Sequence, residues 1–229
     1  MNLIMFRIIS AVVILICVLT FYLINLWNLI KSKKFYRKSE SLKARSNEEE
    51  NLPKSFMLGI TASFTLIFWF TVTIYPFLIF FEVFKKLGDI LIRFSFPFDF
   101  ILHYFGLGLI LSGFLLFDWS VIARGRYATS WDMRKNHKLV TWGPYALVRH
   151  PAYLSYFLMF IGLFSLWPNL LTLLPIFAIP GYVKLTELEE DMLIKSFRDE
   201  YKQYQRKVGR FLPKIRRPKT KINKLENNI

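Results

Sequence analysis

Cysteine and histidine are scarce in this chain. A single cysteine, Cys17, stands among 229 residues, so no internal disulfide can form. The three histidines, His103, His137 and His150, lack the short spacing of a metal site, and Cys17 is remote from them, so no metal is expected. Nothing resembles a nucleophilic triad, and no internal repeat is evident. Gly106-Leu107-Gly108 and Gly113 lack the preceding strand and βαβ surroundings of a dinucleotide loop. They read instead as small residues that let helices approach. The first apolar run is longer than a signal-peptide core and no A-x-A-like site follows it, so it is read as a permanent span.

Apolar residues are abundant. The composition is 54% hydrophobic and 18% aromatic, with 24 Phe, which is too apolar for an ordinary soluble domain. Residues 3–30 are almost uninterrupted apart from Arg7. Residues 55–81 hold no charge, 100–117 are similar, and 151–183 are uncharged but broken by Trp167-Pro168-Asn169. A helix needs about 20 apolar residues to cross a bilayer. The last stretch therefore suits two short, tilted helices. The expectation is an all-α polytopic membrane protein of about five transmembrane helices, with Pro76 kinking the second and a C-terminal helical hairpin over 151–183.

The net charge is +15, from 31 basic and 16 acidic residues. Eight of the Lys and Arg residues fall in 31–54, six in 123–150 and thirteen from 184 onward, against four elsewhere. Five spans put those three groups on one side. The positive-inside rule makes that side cytoplasmic and places the N-terminus outside. The excess is then a topology signal with attraction to anionic membrane lipids. Nucleic-acid binding would need a basic face on a soluble fold and is not expected.

Three regions follow. Residues 1–122 carry three transmembrane helices and a basic, little-structured loop at 31–54. Residues 123–213 carry the chemistry, and 214–229 form a basic, mobile tail. From Lys184, the residues Leu185, Leu188, Met192, Leu193, Phe197, Tyr201, Tyr204 and Val208 keep three-and-four spacing. They predict an amphipathic helix along the cytoplasmic membrane surface, ending near Gly209 and Pro213. Asp118 is expected to pair with Arg124 or Arg126, and Arg210 reads as an ordinary basic residue near a helix end.

The densest polar cluster lies in 139–154, LVTWGPYALVRHPAYL. Ionisable groups at a membrane boundary mark a functional site by default. A helical hairpin returns the chain to the side it left, so this segment can meet Glu189-Glu190. His137, Tyr145, Arg149, His150 and Tyr153 then face Glu189 and Glu190. Such a set can grip a zwitterion: Arg149 or His150 on a carboxylate, Glu189 on an ammonium, tyrosine faces against a cation. An acceptor needing deprotonation would find Glu190 or His150 first. Arg149 and Glu190 are the candidate catalytic residues.

GPYALVRHPAYL followed by EEDMLIKSFRDEYKQYQRKVGRFLP resembles the isoprenylcysteine carboxyl methyltransferase family. That family sits in a wider group of membrane methyltransferases that includes phospholipid N-methyltransferases. The resemblance spans 137–213; the preceding spans match only in hydropathy. It implies S-adenosyl-L-methionine bound at the cytoplasmic face and a lipophilic acceptor arriving from the bilayer. By motif position, His137, Lys138, Leu139 and Val140 would line the nucleoside. Tyr145, His150 and Tyr153 would close around the methionine part, and Glu189 would take its amino group. The family's acceptor-associated arginine, four residues before this glutamate, is replaced by Leu185. Adjacent Lys184 is the substrate-binding candidate. Arg198 stands where the family usually has glycine. The resemblance implies carboxyl O-methylation at the plasma membrane or endoplasmic reticulum. The alternatives are phospholipid or other amine N-methylation on the same scaffold, an NADPH-dependent sterol-type reductase, or a non-enzymatic scaffold. The oligomeric state is not legible in the sequence.

Overall fold

The computed structural model describes residues 3–40 (side chains from 4 to 31), 56–81, 92, 94–125 and 138–214. The chain is an all-α polytopic membrane protein. Its long helices are α1 (Leu3–Glu40), α2 (Phe56–Phe80), α3 (Asp99–Arg124), α4 (Pro151–Leu166) and, after one turn at α5 (Leu170–Leu173), α6 (Ile179–Lys207). α1, α2, α3 and the α5–α6 arm are long and apolar enough to cross a membrane, and α4 is a shorter apolar helix. Large apolar side chains such as Leu23, Leu66 and Phe70 stand exposed, as suits a surface solvated by lipid.

Side-chain contacts fix which ends lie together. Phe6 of α1 packs on His103 and Tyr104 of α3, and Ser10 bonds Tyr75 near the end of α2. Tyr75 in turn meets Trp167 at the hairpin turn. At the other end, Thr65 of α2 bonds Tyr182 of α6. His103 therefore sits at the opposite end of the bundle from His150. The larger apolar core runs through α1, α2, α3, α4 and α6 and includes the fully buried Phe68, Phe114, Ile110, Met159 and Phe160.

α3 and α4 touch backbone to backbone. A Cβ on Gly106 would lie 2.5 Å from Leu166 N, one on Gly113 2.9 Å from Ser155 O, and one on Gly162 2.8 Å from Ile110 N. Without a hydrophobic force between helices in lipid, such close packing is a main source of association. Gly106 and Gly113 thus do what the sequence suggested, whereas Gly108 faces open space.

The hairpin forms as expected. Pro151 starts α4 without needing its missing N–H. The turn at 167–169 is sealed inside protein. Fully buried Asn169 caps the next helix in a reciprocal box with Thr172. Phe94 N donates to Pro168 O, and Leu170 N to Ile92 O. Buried backbone groups at membrane depth need such partners.

Two features depart from the expectations. α1 runs on to Glu40, so the first part of the 31–54 loop is helical. No Pro or Gly interrupts residues 31–40, and Lys31 folds back over Trp27 at 4.6 Å. Residues 41–55 lie outside the described residues, as does the tail beyond Lys214. α6 also breaks at Arg198, whose backbone takes φ 46° and ψ −117°. Only glycine adopts this region freely. The position where the resembled family carries glycine is thus one where geometry asks for it.

Two substitutions test this packing. Arg198→Gly should raise the thermal midpoint in detergent, corresponding to roughly 1–3 kcal/mol of relieved strain. Gly106→Leu should lower it, because the new side chain must push apart two backbones, at a cost of about 1–3 kcal/mol or more.

Candidate active site

The hairpin carries 149–153 and 189–190 to the same end of the bundle. Glu190 is the centre. Its carboxylate is buried and receives Arg149 Nη2 at 2.8 Å, Arg149 Nε at 3.0 Å and His150 Nε2 at 3.0 Å on Oε1. Gln205 Nε2 at 3.0 Å and Arg210 Nη2 at 3.2 Å reach Oε2. Glu189 Oε1 accepts a short hydrogen bond from the Tyr153 hydroxyl, and Oε2 lies 3.5 Å from His150 Nδ1.

A strap after α6 closes the cluster. Val148 pairs with Gly209 in a short parallel bridge. Arg149 N donates to Gly209 O at 2.8 Å, and His150 N to Arg210 O at 3.1 Å. The Arg149 guanidinium also donates to the carbonyls of Val208 and Gln205. Any side chain at 209 would strike the Leu212 carbonyl, so only glycine permits this turn. A small second core, Tyr201, Tyr204 and Val208 against Leu139, Leu193, Ile194 and Phe197, supports the strap.

His150 uses both ring nitrogens. Burial pulls its pKa down, but hydrogen bonds and charge attraction from Glu189 and Glu190 outweigh burial and hold it above the usual 6.5. As imidazolium it donates to Glu190 and is drawn by charge to Glu189.

The expected site residues fall into three groups. His150, Tyr153, Glu189, Arg149 and Glu190 meet as anticipated. Arg149 and Glu190, expected as reacting groups, are each held by the other and by the strap. Lys184 stands 60% exposed and pairs with Glu187 at 2.8 Å, on the outer rim of a chain of charges running through Arg210 to Glu190. Tyr145 is buried; its carbonyl accepts the Tyr204 hydroxyl at 2.6 Å. Leu139 packs on the second core, Val140 is buried and Lys138 exposed. His137 lies outside the described residues.

A cavity of about 710 Å³ opens beside the cluster, walled by Leu139, Thr141, Leu147, Tyr204, Val208 and Lys214 among others. Val208 lines it, and the Val208 carbonyl accepts from the Arg149 guanidinium. Tyr153 stacks toward Tyr182, which lies flat on Tyr156 at 5.2 Å and 9°. An aromatic wall thus leads from Glu189 into the bundle.

Sequence reasoning missed Gln205 and Arg210 as partners of Glu190. The available signal was Gly209, which lets the chain turn back after the helix. The expected Asp118–Arg124 pair does not form: Asp118 Oδ1 and Arg124 Nε are both buried without a hydrogen-bond partner. Arg126 lies outside the described residues. Among the described residues no cluster has the make-up of a metal site.

Two measurements probe the cluster. Arg149→Met should destabilise the protein by roughly 3–5 kcal/mol, read as a lowered thermal midpoint, because it leaves the strap unpinned and a buried carboxylate less compensated. The His150 contribution is complete below the usual value of about 6.5 and is lost as pH rises through the raised folded-state value. The midpoint should therefore fall on the alkaline side, with a smaller slope in His150→Gln.

A phospholipid methyltransferase family model matches residues 101–200, which hold α3, the hairpin and both glutamates. The chain is 37% identical over 84 residues to a protein-S-isoprenylcysteine O-methyltransferase of Schizosaccharomyces pombe, covering 35% of each protein. It is 34% identical over 87 residues to one of Tribolium castaneum, covering 37% of this chain and 31% of that one. A methanethiol S-methyltransferase of Pseudomonas deceptionensis is 33% identical over 76 residues, covering 32% and 28%. The matched stretch spans about a third of each relative's length. Residues 101–200 thus match the phospholipid methyltransferase family model, and about a third of the chain is similar in sequence to isoprenylcysteine O-methyltransferases.

Proposed function

We propose that this chain is an integral-membrane, S-adenosyl-L-methionine-dependent methyltransferase. Its acceptor is lipophilic and arrives from the bilayer, and the nearest known chemistry is O-methylation of an isoprenylcysteine carboxylate. The observation that carries the reading is the meeting of Glu189, Tyr153 and His150 across the hairpin, beside an aromatic wall.

The donor set suits a zwitterionic sulfonium compound. Glu189 keeps lone pairs free for an ammonium, and the tyrosine faces suit a cation. Leu139 and the neighbouring backbone offer an apolar edge to a nucleoside. When bound, S-adenosyl-L-methionine supplies a methyl group on a positively charged sulfur. The chain's own part is to orient and to exclude water. Arg149, Glu190 and the strap hold His150 and Tyr153 in place, and Tyr153 fixes the Glu189 carboxylate.

An acceptor that is already ionised suits these residues. An amine must lose a proton, yet Glu190 is surrounded by Arg149, His150 and Arg210, and His150 donates to Glu190 with Glu189 beside it. A carboxylate makes no such demand. By the positive-inside rule the site faces the cytoplasm and the N-terminus lies outside.

Glu189→Gln should weaken S-adenosyl-L-methionine binding by roughly ten- to a hundredfold, the worth of one charge-assisted bond of about 1.5–3 kcal/mol. Calorimetry in detergent measures this, and an unchanged affinity would remove Glu189 from the ammonium. Labelled donor with a prenylcysteine should leave a base-labile ester; base-stable label would instead show methylation at nitrogen or carbon.

A further inference from the structure

Several cations around the site have partners among the described residues. Arg149 and Arg210 are held by Glu190, Lys184 by Glu187, and Lys214 by the carbonyls of Gln205 and Arg206. Arg124 differs. It closes α3, its Nε is buried, and it makes no hydrogen bond or ion pair with any described residue. Asp118, the acid nearest along its helix, has a buried Oδ1 that is itself unpartnered.

Packing sets Arg124 at the site. The Trp142 indole donates to Ala123 O at 3.0 Å. Gly143, at φ 62°, lies so near that a Cβ there would be 3.0 Å from Ala123 Cβ. The last turn of α3 is thereby pressed onto the 143–146 turn that carries Tyr145. Arg124 stands within electrostatic reach of the Tyr145, Tyr153 and Tyr156 hydroxyls. Tyr153 is the residue hydrogen-bonded to Glu189. The same hydroxyl thus feels a free cation and a carboxylate.

A partly buried guanidinium without an anion is unfavourable. Its planar fork matches a carboxylate in two-point contact. We propose that Arg124, at the end of α3 where it meets the 143–146 turn, is the docking point for a ligand carboxylate. The carboxylate has two possible sources, the amino-acid end of S-adenosyl-L-methionine or the acceptor. The identity of the ligand rests on the proposed methyltransferase reading; the need of Arg124 for an anion does not.

The test uses full-length wild type and Arg124→Met in detergent. With no ligand, the variant should melt about 2–4 °C higher, since an uncompensated charge has gone. A lower midpoint would show that Arg124 already has a structural partner and would overturn the proposal. Calorimetry then compares S-adenosyl-L-methionine with its decarboxylated form. If Arg124 holds the donor, the variant loses roughly tenfold in affinity for the first and nothing for the second. If it holds the acceptor, donor affinity is unchanged and KM for an N-acetylated S-prenylcysteine rises roughly tenfold at constant kcat. Donor affinity and KM both unchanged also overturns the proposal. Wild type that binds no donor would sink the methyltransferase reading alone, and the thermal comparison would still decide whether Arg124 lacks an anion.

Discussion

The Glu190 carboxylate is the contact on which this end of the molecule depends. It sits on α6, after the hairpin, and gathers Arg149 and His150 from before the hairpin with Gln205 and Arg210 from after it. Three segments far apart in sequence are thus tied to one buried pair of oxygens. A buried charge is tolerable only when its lone pairs are filled, and here they are. Filling them also fixes the rotamers of His150 and, through it, Glu189. The order of the site is therefore an electrostatic consequence of one acid, and the helices supply only the approximate register.

Away from that end the structure obeys the opposite rule. Several hydroxyls inside the bundle bond locally, as Thr61, Thr65, Thr71 and Ser120 do by donating to a carbonyl four residues back. Helices meet through glycine rather than through charge. Gly181, for instance, lies where a Cβ would collide with Thr61. Van der Waals contact assembles the bundle and charge organises its end.

The sequence made the bundle and the hairpin legible because apolar runs and a Trp-Pro-Asn break have one sensible reading in lipid. It also pointed to acids and bases that the fold brings to one place. It did not show which of them are consumed by one another. Arg149 and Arg210 look alike as letters, and so do Arg149 and Arg124. The first two are neutralised by Glu190 and the third is not, a distinction set by the strap and by the approach of α3 to the 143–146 turn. The break at Arg198 was invisible for a related reason. Helix periodicity is a property of side chains, and it continues across the break because Tyr201 and Tyr204 still find an apolar seat. The glycine of the resembled family was the only hint.

The short hairpin has one further implication. The 16 residues of α4 reach about 24 Å, less than a typical hydrocarbon thickness of roughly 30 Å. Its turn is buried beneath the chain at 92 and 94, which supplies hydrogen bonds where water cannot. Among the described residues, the short helix therefore ends against protein at that pole and not in water.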